Sequence, residues 1–378
     1  RKTYLPASPS LVNSWHDNHL RSFCLDGKKE SMIALFSDPL ILGLVLLGTT
    51  LGITVGGIPG LTGTMLIALT LPFTFSMEPV EGLVLLVAMY VGAVSGGLIS
   101  ATLLRMPGTP AAVMTTLDGY PMANSGRPGR ALGLGIGASL VGGIISWFAL
   151  WQLSEPMADW STKLGPFELF SLVILALALL AGVGESTRAR GLLAGSLGVL
   201  VAMPGMHPAT GELRWTMEFT SMNEGFRLIP VLIGMFAIGK ILDDILGKAE
   251  KVEKVTGKDS AWIPLNDWKK HFVNLIRSSG IGTLIGILPG VGANIGSLAA
   301  YVTAKRASKN ADKFGKGSEE GIVASESANN ATVGGALIPL IALGIPGSVI
   351  GAVLLGALIV HGLQPGPLLF RQNPEAVR

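Results

Sequence analysis

Residues 57–64 read Gly-Ile-Pro-Gly-Leu-Thr-Gly-Thr, and residues 286–294 read Gly-Ile-Leu-Pro-Gly-Val-Gly-Ala-Asn. Both stretches lie within apolar sequence, at 40–75 and 272–304, and both interrupt it with a Pro-Gly pair. Proline removes a backbone donor and clashes with the preceding turn, while glycine frees the chain beyond it. Each pair therefore predicts a helix that stops and restarts, forming the tip of a helical hairpin.

The two stretches are related to each other. Gly52, Gly56, Pro59 and Gly60 recur 230 positions later as Gly282, Gly286, Pro289 and Gly290. Beyond them, Gly96-Gly97 and Pro107-Gly108-Thr109 are matched by Gly334-Gly335 and Pro346-Gly347-Ser348, the second Pro-Gly offset being 239 because of a longer polar loop. Single glycine matches are cheap in a chain with 51 glycines. An ordered set with two Pro-Gly anchors points to an internal duplication.

Composition sets the environment. The 378 residues are 49% hydrophobic and only 14% charged, with a mean hydropathy of +0.54. A soluble domain carries about 25% charged residues, so this chain belongs in a bilayer, where a span needs about 20 apolar residues. Clear candidates are 81–104, 131–153, 167–184, 226–246 and 348–363. Shorter or interrupted stretches lie at 40–58, 61–75, 191–204, 272–288, 291–304 and 322–345.

Loop charge assigns sides, because Lys and Arg favour the cytoplasm. The loop at 73–80 carries Glu78 and no basic residue. Its counterpart at 305–320 carries Lys305, Arg306, Lys309, Lys313 and Lys316, and the segments 248–270 and 105–130 are also basic. With four crossings between 131 and 247, the second copy lies upside down relative to the first. The expected fold is thus all-α: a polytopic membrane protein with inverted-topology repeats and broken helices. It divides into a polar N-terminal segment (1–31), a first repeat (32–130), connecting transmembrane helices (131–247), a basic cytoplasmic linker (248–270) and a second repeat (271–378). The segment 1–31 reads either as an upstream extension ahead of Met32 or as a disordered native tail.

Inverted repeats with broken helices are the architecture of many secondary transporters. A helix interrupted at mid-membrane aims free N–H groups at the gap, and unwound carbonyls beside it can hold a cation. On this logic Gly60, Thr62, Gly63 and Thr64 in the first copy, and Gly290, Gly292 and Asn294 in the second, are expected to line a substrate site. Gly52, Gly56, Gly282 and Gly286 are read as helix-packing positions. Pro107, Gly108 and Thr109, with Gly347 and Ser348, form the second pair of breaks and are expected to face the same cavity.

The most polar segment with apolar flanks is 325–332, Ser-Glu-Ser-Ala-Asn-Asn-Ala-Thr. Glu326, Asn329 and Asn330 share one face if it is helical. Asn329 and Asn330 are expected to bind substrate, and Glu326, Asn329 and Thr332 a coupling cation. The alternative is that Glu326 belongs to the preceding loop, beside Glu319 and Glu320. Asp118, in Asp-Gly-Tyr-Pro (118–121), is expected in a polar turn, ordering a loop rather than relaying protons.

Other functions find little support. The single cysteine, Cys24, excludes a disulfide framework and a cysteine metal cluster. The five histidines (His16, His19, His207, His271, His361) are scattered, and neither His-Glu-x-x-His nor Gly-x-Ser-x-Gly occurs, so neither a catalytic centre nor a metal site is expected. A passive channel remains open, since broken helices also build pores.

At these motifs the chain resembles the large membrane subunit of the tripartite tricarboxylate transporter family. The stretches that carry the likeness begin at Gly57, Pro107, Thr116, Gly286, Phe314, Glu326, Gly335, Gly344 and His361. The resemblance implies cation-coupled uptake (Na⁺ or H⁺) of an organic carboxylate such as citrate across the bacterial inner membrane. It also implies two partners, a small membrane subunit and a periplasmic solute-binding protein, with no cofactor and no nucleic acid. The family's large subunit continues past Asn373-Pro374, so the chain is read as C-terminally truncated. Arg105 stands where an uncharged polar residue is expected; its charge would either draw in an anion or anchor a helix end.

Overall fold

The computed structural model describes residues 37–183, 188–206, 212–223, 225, 226, 230, 231, 233–246, 257 and 259–372. The segment 1–31, most of the basic linker, His207 and Asn373-Pro374 lie outside the described residues. What is described is helical apart from one short antiparallel pair, Gly205–Met206 with Leu213–Arg214, next to the Pro204-Gly205 break. Among the described residues three helices are long and apolar enough to cross a membrane: Pro39–Gly57, Pro79–Leu103 and Pro128–Ser161. The first of these corresponds to a stretch that the sequence ranks among the shorter ones.

The first half runs α1 (Pro39–Gly57), α2 (Gly63–Thr70), α3 (Pro79–Leu103), a 3-10 turn Pro110–Ala112, and α4 (Val113–Asn124). The middle runs α5 (Pro128–Ser161), α6 (Pro166–Val183), α7 (Arg188–Ala202) and, after a π-helical stretch Ile233–Ile238, α8 (Gly239–Leu246). The last part runs α9 (Leu265–Ile287), α10 (Gly292–Ala307), α11 (Glu319–Leu343), α12 (Val349–Val360) and α13 (Pro367–Gln372). Helices α3 and α11 are both 25 residues long, and α4 and α12 are both 12.

The Pro-Gly pairs stand where helices stop. After α1 the Ile58 amide turns back to Val55 O, and after α9 the Leu288 amide turns back to Ile285 O. Gly60 (φ +93°) and Gly290 (φ +77°) then take a left-handed conformation that a side chain would oppose. Thr62 restarts the chain as N-cap of α2, accepting from the Met65 amide at 3.1 Å.

Glycines set the packing of the two halves in the same way. A Cβ on Gly52 would run into Met89 O, and one on Gly56 into Ala93 O. In the second half Gly282 meets Ala328 O and Gly286 meets Thr332 O. In return Gly96 faces Ile53 O, as Gly335 faces Thr283 O. Gly108 faces Gly56 O, as Gly347 faces Gly286 O. Gly96 and Gly335 thus make like contacts, whereas Gly334 packs on Ser146. Such backbone-to-backbone approach is the membrane substitute for a hydrophobic driving force between helices.

The halves also exchange arms. Helix α2 of the first half packs on α12 of the second, with Ile350 against Gly63, and α10 of the second packs on the Pro110–Ala112 turn and α4 of the first. Apolar side chains from both halves, including Ile67, Leu71, Leu86, Met89, Leu340 and Leu354, form one buried cluster. Helix α11 runs through the middle and is buried at nearly every position from Gly321 to Leu340, packed chiefly against α5 and α9.

Candidate functional site: a buried polar seam around helix α11

Helix α11 starts at Ser318, whose hydroxyl accepts from the Gly321 amide at 3.2 Å, and Glu319 and Glu320 occupy its positive N-terminal turn. Two turns further in, Glu326 is 0% exposed. It is therefore not part of the preceding loop, the alternative that its acidic neighbours leave open in the sequence. Small residues let the surrounding helices close on it: Gly142 of α5 lies against Ser327 O, and Gly282 of α9 against Ala328 O.

The Glu326 carboxyl is held by hydroxyls from two helices. Thr115 of α4 donates to its Oε1, and Ser139 of α5 donates to Oε2 at 3.3 Å. Asn330 extends the seam, its Nδ2 donating to Ser139 Oγ at 2.7 Å and its Oδ1 accepting from Ser95 of α3 at 2.8 Å. Ser325 Oγ lies 3.1 Å from Thr115 Oγ1, and Ser297 of α10 donates to Ser325 O at 2.9 Å. Five helices thus meet in one polar seam inside an apolar bundle. Among the described residues no basic side chain pairs with Glu326. A carboxylate surrounded only by neutral donors in so dry a setting is costly, and it calls for a proton or a cation.

Asn329 behaves differently from its neighbour. It is 0% exposed, and neither Nδ2 nor Oδ1 makes a hydrogen bond of ordinary geometry, although the amide lies within reach of the Glu326 carboxyl. Thr102 Oγ1, Thr109 Oγ1 and Ser279 Oγ are likewise buried and unmatched. Buried polar atoms in native proteins are nearly always paired, so each such group calls for an explanation.

The other residues singled out in the sequence fall into several settings. Glu326, Asn329 and Asn330 are neighbours on one buried helix, and the Thr332 hydroxyl donates to Asn329 O at 2.6 Å. Gly63 is buried and Thr64 half-buried near the first tip. Gly292 takes a left-handed φ of +72°, and Asn294 points to the exposed side of α10. Pro107 is exposed, while Gly108 and Gly347 are buried against helix backbone. Ser348 caps α12, accepting from Gly351 N at 3.0 Å, and its hydroxyl meets Tyr90 OH at 3.2 Å. Ser95, Thr115, Ser139, Ser297 and Tyr90 escape sequence reading, because a lone hydroxyl in an apolar run carries no spacing signal.

Asp118 lies inside α4, not in a polar turn. Its Oδ1 accepts from the Gly315, Gly317 and Ser318 amides at 2.7 to 2.9 Å, and its Oδ2 from Tyr301 OH at 2.8 Å. It orders the loop that leads into α11. Arg105 (φ +58°) is exposed, and its guanidinium lies 5.6 Å from the centroid of the Tyr120 ring.

A charged collar joins the polar ends of α5, α9 and α11, outside the apolar spans. Arg130 donates to Glu319 at 2.5 and 3.0 Å and to Asp267 at 2.9 Å. Lys270 and Arg130 hold the Asp267 carboxyl below the usual carboxylate range. His271 and Arg130 do the same for Glu319, the His271 Nε2 lying 3.5 Å from Glu319 Oε2. Asp259, in the described end of the linker, accepts from the Gly129 and Arg130 amides at 2.7 and 2.8 Å.

The sequence profile of the tripartite tricarboxylate transporter TctA family matches residues 42–378. The chain belongs to this family. Two relatives come from Agrobacterium vitis. An uncharacterized 52.8 kDa protein in the TAR-I ttuC' 3' region is 33% identical over 329 residues, covering 86% of this chain and 65% of its own length. An uncharacterized protein in the TAR-II ttuC' 3' region is 44% identical over 93 residues, covering 25% of this chain and 38% of its own. No solved structure matches at a significant level. The TctA family is a family of transporters within a tripartite system, and the apolar helices suit a membrane protein.

Proposed function

We propose that this TctA-family chain is the permease subunit of a secondary, cation-coupled carboxylate uptake system in the bacterial inner membrane. It works with a small membrane subunit and a periplasmic solute-binding protein, takes a tricarboxylate such as citrate or a related organic acid, and couples its entry to Na⁺ or H⁺. Access alternates at a site between two inverted, broken-helix repeats. Support for a two-fold relation comes from the reciprocal arm exchange, and support for the inversion from the opposite charge of the corresponding loops at 73–80 and 305–320. Any two-fold relation between the halves produces such an exchange; the loop charges are what favour an axis in the membrane plane.

The observation that carries the coupling is the fully buried Glu326, with hydroxyl partners and no basic one among the described residues. An ionisable group at membrane depth is costly, and one kept there points to a role in handling the transported species. Here it can hold the coupling cation while an anion binds beside it.

The test uses the complete permease with its own partner subunits in proteoliposomes, with radiolabelled citrate and an imposed Na⁺ or pH gradient. Uptake should concentrate citrate and stop when the gradient is dissipated. Glu326→Gln should abolish gradient-driven uptake while leaving citrate exchange. Citrate flux indifferent to both gradients would instead be that of a passive anion channel, and would sink the carrier reading.

A further inference from the structure

The register of the two halves relates Tyr90 to Asn329, and Thr109 to Ser348, each pair 239 positions apart. Tyr90 sits on α3 and reaches across to Ser348, at the break before α12, with a hydroxyl–hydroxyl distance of 3.2 Å. The counterpart of this contact would run from Asn329 on α11 to Thr109, at the break before α4. The flanking packing obeys the same correspondence, Ala93 O with Gly56 matching Thr332 O with Gly286. The contact itself does not. The Asn329 amide and the Thr109 hydroxyl are both buried, and neither makes a hydrogen bond of ordinary geometry. Thr109 also makes no cap bond to its turn, whereas Ser348 caps α12.

The difference follows from side-chain length. An asparagine amide ends well short of where a tyrosine hydroxyl ends, so the first side is bridged by protein and the second is left with unmet groups. Each unmet buried polar group is costly if nothing supplies a partner. The groups on offer are the Asn329 amide, with two N–H donors and one carbonyl acceptor, and a hydroxyl that can donate, at the N-terminal end of residues 110–124, where a helix favours negative charge. Donors outnumber the one acceptor, and the helix N-terminus turns the balance toward an anion.

We infer that Asn329 and Thr109 together grip one carboxylate group of the substrate, and that the Tyr90–Ser348 contact plugs the equivalent place. Two repeats then make one such anion subsite rather than two. The inference rests on the carboxylate-carrier reading above and assigns that substrate to one side of the pseudo-symmetric core.

The test again uses the complete permease with its partner subunits in proteoliposomes, with citrate and succinate as probes. Asn329→Leu and Thr109→Val are close in shape to the originals and should raise the KM for the carboxylate by roughly tenfold or more. The half-saturating concentration of the driving cation should stay unchanged. Tyr90→Phe, which touches no substrate, should leave KM within about twofold while lowering thermal stability. As a readout independent of transport, Thr109→Cys in a permease cleared of its native cysteines, Cys24 included, should be alkylated, and citrate should protect it where Na⁺ alone does not. Unchanged KM in well-inserted Asn329→Leu and Thr109→Val overturns the subsite. A shift in cation half-saturation in place of KM, or protection by Na⁺ alone, overturns it in favour of a cation site. An equal KM rise in Tyr90→Phe overturns the plug. Failure of the wild type to take up or bind either probe would bring down the carrier reading and this inference together, an outcome distinct from wild-type activity with indifferent variants.

Discussion

Ser95 on α3 donates a 2.8 Å hydrogen bond to Asn330 Oδ1 on α11, directly joining the corresponding 25-residue helices of the two halves. The bond is one end of a chain that continues through Ser139 to Glu326. In an apolar bundle such a chain decides which rotation of each helix is allowed, because every other rotation buries polar atoms without partners.

Cutting the chain should therefore cost stability unequally. Asn330→Ala takes a partner from both the Ser95 and Ser139 hydroxyls, which keep only Val91 O and Glu326, and leaves a void beside them; it should cost about 1–3 kcal/mol, read as a lower Tm in detergent. Ser95→Ala strands a single acceptor and should cost less. The double variant should lose less than the sum of the two. Strict additivity would mean that the Ser95–Asn330 bond contributes nothing of its own.

The helix-packing glycines make a second prediction. Gly56→Ala and Gly286→Ala drive a methyl group into the carbonyls of Ala93 and Thr332, which should cost about 1–3 kcal/mol through overpacking. Gly43 and Gly280 lie on the same two helices, with nothing within 4 Å of the place a methyl group would take. Alanine there should be neutral or stabilising, by up to about 1 kcal/mol, through helix propensity. Thermal unfolding followed by size-exclusion chromatography measures all four, and equal behaviour of the two pairs would refute the packing role.

Asp118 anchors a loop across the molecule. Asp118→Ala removes the acceptor of three backbone amides and of Tyr301 OH. Its loss should free residues 315–318 and raise the rate of tryptic cleavage at Lys313 and Lys316. A digestion pattern identical to the wild type's would show that the loop is held by other means.

The collar predicts a pH dependence. Asp267 and Glu319 are held below their ordinary values, so their contribution to stability is whole above the carboxylate range. It is lost as the pH falls through that range toward the lowered values. Arg130→Ala weakens the cause and should flatten the decline of Tm between roughly pH 5 and pH 3. Because Arg130 and Glu319 are about a quarter exposed, solvent screening keeps the effect modest. An unchanged slope would assign the acid sensitivity elsewhere.

Much of this protein is legible along the chain because the signals are local. Proline and glycine act on their own backbone, so Pro59-Gly60 and Pro289-Gly290 mark where α1 and α9 end. Their recurrence at a fixed offset is the sequence basis for the proposed repeat. The spacing of Gly52, Gly56, Gly282 and Gly286 already places them on helix faces fit for close approach. The 325–332 segment stands out because polar residues are rare in apolar sequence.

What depends on distant partners had to come from tertiary structure. Only packing decides that Glu326 is buried rather than in a loop, since α4, α5 and α11 each supply one part of its surroundings. The same holds for Asp118, which lies in a helix yet orders a loop nearly two hundred residues away. It holds as well for Asn329 and Asn330, adjacent and chemically identical. One is fully paired and the other makes no hydrogen bond of ordinary geometry, because they point at different neighbours. Local sequence sets where the backbone must break; the neighbours that close around those breaks decide which polar atoms are satisfied and which are left for a ligand.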